Sequence, residues 1–258
     1  RVLVGRDKEL QELMGYAEKK WAYVIKVFGV AGTGKTSLVQ KLAEKIMWHK
    51  PVVYLKMNRI QTVHELGKEF EKRLKILKKI FGIREDNLIE EDIVIIIDQL
   101  EDLVNETEKR FNDVGQEVIA TIADIMKNKE KGKIKIILAI RSESGDLLDT
   151  KMGNWDRRIP LEEINIEEQR RLLTDIVKQN IYAAGIEITE EQAKQILEKI
   201  PIKHKLKTTP GEIISYLAII ITQAEKPTIE ELLNKLEEAA KEDPINKLIV
   251  KLTLKQYD

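Results

Sequence analysis

The sequence contains no cysteine. That single absence excludes disulfides, thiolate-bound zinc and thiol nucleophiles. Histidine is scarce: His49, His64 and His204 stand far apart and form no ligand spacing. No apolar run reaches the roughly 18 residues of a membrane-spanning helix. No signal-peptide pattern is visible either, so the expectation is a cytoplasmic protein with no membrane partner. An excess of one charge is also missing, because 44 basic residues cancel 44 acidic ones. As a whole, the chain advertises neither a nucleic-acid nor an anionic-membrane partner. Tandem repeats and low-complexity tracts are absent.

Charge itself is plentiful: 34% of the 258 residues are charged, above the roughly 25% of ordinary soluble domains. The apolar fraction, 43%, is ample for a buried core, and the length suits one large domain or two modest ones. Abundant Lys, Glu and Ile with no Cys is a thermophile-like lean. Local basic stretches survive the overall neutrality at "EKRLKILKK" (71–79), "KGKIK" (131–135) and "KHKLK" (203–207).

Apolar periodicity orders the first part as alternating helices and strands. Leu10, Leu13, Met14 and Ala17 share a helical face within residues 6–20. "WAYVIKVFGV" (21–30) reads as a buried strand. A helix follows from Ser37 to Trp48, with Pro51 breaking it. "VVYLKM" (52–57) is a second strand, and Val63 to Phe81 a basic amphipathic helix. "DIVIIIDQLEDL" (92–103) and "KIKIILAIRSES" (133–144) are short and β-branched, which suits buried parallel strands. A helix is expected over 111–128, and "RIPLEEI" (158–164) is a candidate fifth strand. This alternation implies an α/β domain with a parallel sheet flanked by helices. Beyond about Ile164 four helical patterns follow one another. Capping-box pairs at Thr189 with Gln192 and at Thr228 with Glu231 open two of them. The division expected is a core over 1–163 and a small all-helical lid domain over 164–258.

Between the first strand and its helix lies Gly29-Val30-Ala31-Gly32-Thr33-Gly34-Lys35-Thr36, followed by Ser37. It fits G-x-x-x-x-G-K-[ST]. Glycines let successive N–H groups turn into one concavity, and the helix behind adds its positive end. Lys35 can then reach the β- and γ-phosphates of a nucleotide, and the Thr36 hydroxyl can hold magnesium. An acid at the end of a neighbouring strand completes such a site, and Asp98 stands in that place. The other reading of Asp98 is an ordinary helix cap. Gln99 follows where a base is wanted, and an amide orients water without taking its proton. Glu101 is the favoured base, with Asp102 beside it; both also suit the start of a helix. Arg141, at another strand end, suits a γ-phosphate sensor, or a plain ion pair. Arg157 and Arg158 are candidates for an arginine finger between subunits.

Taken in order, "LVGRDKELQEL", "GVAGTGKTSLV", "IVIIIDQLEDL" and "IILAIRSESGDLL" resemble the STAND and archaeal origin-recognition branch of AAA+-related P-loop ATPases. The resemblance covers nearly the full length. It implies a P-loop NTPase core of the AAA+/ASCE type and a helical lid. It also implies that Val4, Gly5 and Arg6 lie against the adenine and ribose. Two positions depart from the pattern: Gln99 stands where origin-recognition proteins carry Glu, and Ile214 stands where their lid carries arginine.

The expected function is an ATPase of low turnover that binds ATP or ADP with magnesium between core and lid. Its nucleotide state would control self-association or a protein partner. The alternative is a DNA-associated ATPase, such as a replication initiator, a transposition helper or a viral or plasmid factor. A small-molecule kinase uses the same loop but not the upstream Gly-Arg-Asp box.

Overall fold

The structure is a computed structural model that describes residues 5–21, 23–83, 91–105, 107–127, 133–152, 155–165, 170–183, 186–200, 207–211, 213–215 and 217. The chain divides into two compact units, Leu3–Glu162 and Glu163–Asp258.

The first unit is built on five strands: β1 (Tyr23–Gly29), β2 (Val52–Lys56), β3 (Val94–Asp98), β6 (Lys135–Arg141) and β7 (Arg157–Pro160). A short antiparallel ribbon, β4 (Val104–Asn105) with β5 (Arg110–Phe111), intervenes. The five strands are all parallel and lie in the order β2-β3-β6-β1-β7. This is the parallel sheet flanked by helices that the alternation implied. Helices α1 (Asp7–Ala17) and α2 (Lys35–Ile46) cover one face. The other face carries α3 (Val63–Phe81), α4 (Asp113–Lys127) and α5 (Ser142–Met152).

Covering both faces explains the unbroken apolar runs. Successive side chains alternate between faces, and β3 divides accordingly. Val94 and Ile96 join Leu38 and Leu42 in one core, while Ile95 and Ile97 join Val118 and Ile122 in the other. Burying each such side chain stabilises by roughly 1.5–3 kcal/mol. That exceeds the ~1–2 kcal/mol cost of ordering one backbone residue, so even this five-residue strand holds.

Three boundaries differ from the periodicity. The strand ends at Arg141, and Ser142–Ser144 open α5 instead of extending β6. Leu147 and Leu148 are the only leucines in α5 and give it no clear helical stripe; Leu148 and Gly145 are its buried residues. The strand before Gln99 ends at Asp98, and residues Leu100–Leu103 form a 3-10 turn. Phe111 belongs to β5, so the helix expected at 111 begins at Asp113.

In the second unit, α6 (Arg170–Ala183) packs on α7 (Glu190–Lys199). Leu173, Val177 and Ile181 are buried on α6, and Ala193, Ile196 and Leu197 on α7. Thr189 accepts from Gln192 N–H while the Gln192 side chain accepts from Thr189 N–H, the reciprocal cap read in the sequence. The unit also carries a two-stranded ribbon, β8 (Ile164–Asn165) with β9 (Lys207–Thr208), which periodicity did not show. The Thr228 capping box and the helical patterns beyond residue 217 lie outside the described residues.

At the amino edge of the sheet, Lys135 is fully buried and pairs with Asp92, which also accepts from Lys50 Nζ at 2.6 Å. Burial alone would raise the Asp92 carboxyl; the two ammonium groups outweigh it and hold it below the usual aspartate range. Its contribution to stability is therefore present above the ordinary aspartate value and is lost as pH falls through the lowered one. Asp92→Asn should cost about 2 kcal/mol, because a buried ammonium loses its charged partner. Urea unfolding at neutral pH checks this, and the variant's stability should fall less steeply between neutral and acid pH than the parent's.

Candidate functional site

Parallel pairing brings the carboxyl ends of the strands to one edge, the usual place for ligands in open α/β sheets. Gly29 at the end of β1 is in register with Arg141 at the end of β6, and Lys56 of β2 with Asp98 of β3. The sheet order sets β6 between β1 and β3. The loop from Gly29 to Gly34 leads directly into α2, whose N-cap Gly34 has φ 95°, a left-handed backbone that glycine adopts without strain. Gly29 is needed for a different reason: a Cβ there would collide with the Leu161 carbonyl oxygen and stand 2.8 Å from Thr33 Oγ1. The loop is closed internally. Thr33 is fully buried and its hydroxyl donates to Val30 O at 3.0 Å.

Lys35 Nζ donates to the carbonyls of Gly29 and Val30, each at 2.8 Å. Burial lowers its pKa; Glu101 partly offsets this, and Arg141 adds to the lowering. The ammonium therefore sits at the loop under pressure to find a strong anionic partner. Thr36 Oγ1 donates to Asp98 Oδ1 at 3.0 Å, so the loop and the β3 acid meet directly. Asp98 is almost wholly buried, and its second oxygen accepts from Tyr54 OH at 2.6 Å. Tyr54 was not among the residues singled out from the sequence. Its position in "VVYLK" shows which face it takes, but nothing local indicates a partner 44 residues away.

Gln99 adopts φ 61° and ψ 43°, a left-handed backbone uncommon outside glycine. Among the described residues, its Oε1 is the one buried side-chain polar atom without a hydrogen-bond partner. Such a bare acceptor suits a water or ligand hydrogen. Glu101 is tied on both oxygens: Oε1 lies 3.2 Å from Arg141 Nε, and Oε2 accepts from Arg141 N–H at 3.2 Å. Burial raises the Glu101 pKa, with Lys35 and Arg141 pulling the other way. Burial likewise raises Asp102, Arg141 again opposing. Glu143, at the start of α5, adds a further carboxylate felt by Lys35.

The structure thus gathers Lys35, Thr36, Asp98, Glu101 and Arg141 at one edge. A hydroxyl and a carboxylate in contact are oxygen donors suited to a hard divalent cation, so Thr36 and Asp98 fit magnesium. Among the described residues no cluster of three or more His, Asp or Glu suggests any other metal site. Arg6 is placed differently from Lys35. Its guanidinium donates to Glu162 O at 2.6 Å and to Thr33 O at 3.3 Å, and pairs with Glu9 at 3.1 Å. It braces the loop from outside. Gly5 has φ 70°, and Val4 lies outside the described residues. Ala31 and Gly32 are exposed on the loop, and Ser37 is half-buried in α2. Arg157 pairs with Glu12, and Arg158 with Asp149 at 3.4 Å. No helix among the described residues is long and apolar enough to cross a membrane.

Comparison with known proteins gives three kinds of likeness. The family model described as "ATPase family associated with various cellular activities (AAA)" matches residues 25–163. The chaperone protein ClpB of Malacoplasma penetrans is 24% identical over 275 aligned positions, which cover 91% of this chain but 38% of that protein. The chain thus spans well under half the length of this relative. Among solved structures, a chain of an E. coli HORMA:CdnC:Trip13 complex superposes with a TM-score of 0.58 at 12% identity, covering 92% of this chain and 89% of that one. A chain of the Drosophila ORC bound to DNA gives 0.55 at 16%, covering 95% and 64%. At these identities the solved structures speak for the fold alone.

Gly29→Ala tests the close approach. The added methyl meets a backbone carbonyl that cannot rotate away, so the loop or the end of β7 must shift. The expected cost is about 1–3 kcal/mol, as for overpacking elsewhere, read as a lowered urea midpoint. An unchanged midpoint would show that the loop yields freely.

Proposed function

The chain belongs to the AAA family of ATPases, and from that premise we propose that it is a nucleotide-dependent switch with slow ATP hydrolysis. Its branch is the STAND and archaeal origin-recognition one that the upstream box resembles; the Asp98-Gln99 stretch resembles the STAND side of it. Nucleotide state would set self-association or the binding of a protein partner, with the helical second unit as its reader. The observation that carries the reading is the 3.0 Å bond from Thr36 Oγ1 to Asp98 Oδ1 beside Lys35. It joins a phosphate loop to a strand-end acid in one place.

In this reading the loop N–H groups and the start of α2 receive the phosphates. Lys35 exchanges its two carbonyl acceptors for phosphate oxygens, a stronger charge-assisted pairing. Thr36 and Asp98 hold magnesium, which when bound neutralises charge on the β- and γ-phosphates. Tyr54 keeps the Asp98 carboxylate oriented. Glu101 takes a proton from the attacking water, which it can do only once Arg141 has turned to the γ-phosphate. The Gln99 amide oxygen accepts from that water without removing its proton. A base that starts in an ion pair is a reason for low turnover.

Light scattering on the full chain with and without a non-hydrolysable ATP analogue tests the switch. A nucleotide-dependent change in mass supports it, and Lys35→Ala should abolish both the change and tight ATP binding. A chain of constant mass that binds no partner in either state would overturn the reading.

The base has its own test in the pH profile. Glu101 must be ionised to act, and burial sets its pKa above the ordinary glutamate value. Turnover should therefore fall on acidification at a higher pH than a free glutamate would dictate. Glu101→Gln should flatten that limb and slow hydrolysis about 10²–10⁴-fold while leaving ATP affinity unchanged. Normal turnover in the variant would assign the base elsewhere.

A further inference from the structure

Outside the phosphate loop, the first unit has a cavity of about 700 Å³ between the end of β2 and the start of α3. Its walls are rich in cations: Lys56, Arg59, Lys68, Lys72 and Arg73. The two acids in it are already committed. Glu65 accepts from Gln61 N–H at 2.8 Å, and Glu69 from Arg73 Nε at 2.8 Å, with Lys72 at 3.8 Å. Five positive and two negative side chains leave an excess of three positive charges on a chain whose total is zero.

The charge continues beyond the cavity. Lys68, Lys72, Lys75 and Lys79 follow one another at intervals of four, three and four residues and are all exposed. That spacing sets them along one face of α3. From first to last the stripe runs about 16 Å at 1.5 Å per residue. One strand of a duplex carries a charge every ~3.4 Å of axis, so the stripe faces about five phosphates.

We infer that this cavity and stripe form a docking surface for the phosphodiester backbone of double-stranded nucleic acid. A free phosphate would occupy one end and leave the rest unmatched. An acidic peptide normally seats apolar anchors in a pocket; Ile60, itself buried, is the one aliphatic lining residue of the cavity, and the exposed Val63, Ile76 and Ile80 of α3 line no part of it. Single-strand binders supply aromatic rings for base stacking. The exposed aromatic rings among the described residues, Trp21, Trp48 and Tyr182, lie off β2 and α3, and the one ring lining the cavity, Tyr54, is half-buried with its hydroxyl bonded to Asp98. Cations with one half-buried ring and no apolar pocket read backbone charge and shape, with no preference for base sequence.

The test uses the full chain without nucleotide, so that its outcome is independent of the ATPase reading. A fluorescein-labelled duplex of about 20 base pairs is titrated by anisotropy between roughly 50 and 200 mM salt, the range over which counterion release is steep. Binding should weaken as salt rises and be indifferent to duplex sequence. The double reversal Lys68→Glu with Lys75→Glu should lower affinity at least tenfold. It should also flatten the salt slope by about two contacts. The exposed Lys127→Glu on α4 should change neither. Both variants replace solvent-facing side chains, and equal melting curves would show them folded. Absence of binding at the lowest salt overturns the inference. So does a double variant that binds like the parent, or equal loss with Lys127→Glu. Polyglutamate competing charge for charge would assign the surface to an acidic protein, and tighter binding of the single strand would assign it to unpaired nucleic acid.

Discussion

A buried carboxylate with two hydroxyl donors sits where three parts of the chain meet. Asp98 accepts from Thr36 on one oxygen and from Tyr54 on the other. A carboxylate so far from solvent is costly unless its lone pairs are met, and here each oxygen has its own donor. Those donors come from the helix behind the phosphate loop and from the neighbouring strand. Loop, acid and β2 are thereby held in a single geometry, and the spacing between Lys35 and Asp98 follows from it. The parallel register does the coarse placement, bringing strand ends to one edge; these two hydrogen bonds do the fine placement.

A second layer of placement is ionic. Arg141 holds Glu101 by both its guanidinium and its backbone N–H. Further along, Lys26 is buried in β1 and pairs with Asp149 at 2.6 Å, and Asp149 also accepts from Trp155 Nε1 at 2.8 Å. Lys26 donates to Gly145 O as well. This knot fastens α5 to the strand that feeds the phosphate loop, and α5 begins at the residue after Arg141. The segment bearing that arginine is thus anchored at both its ends, by β6 pairing on one side and by the Asp149 knot on the other.

Much of the first unit was legible in the sequence because its signals are local. The helix read from Val63 to Phe81 has those bounds in the structure: Thr62 caps its start and Gly82, at φ 70°, its end. The glycine-rich loop and the acid ending "VIIID" are equally local patterns. What escaped reading is non-local or weakly patterned. Helix α5 has few apolar residues and a glycine, and its packing against Lys26 decides it. Tyr54 and Arg6 find partners 44 and 156 residues away, which no periodicity discloses. The left-handed Gln99 is likewise a consequence of how β3 ends against its surroundings, since glutamine has no preference for that backbone. In the second unit the β8–β9 ribbon joins residues more than forty apart by two-residue strands, too short to leave a period.

Arg6 has a mechanical corollary. One guanidinium holds both Thr33 O in the phosphate loop and Glu162 O at the last residue of the first unit. Tension applied to the chain just beyond Glu162 would reach that guanidinium, and through it the loop, as well as the Leu161 N–H to Phe28 O bond beside β7. The arginine is therefore a link through which a pull on the polypeptide downstream would be felt at Thr33 in the glycine-rich turn.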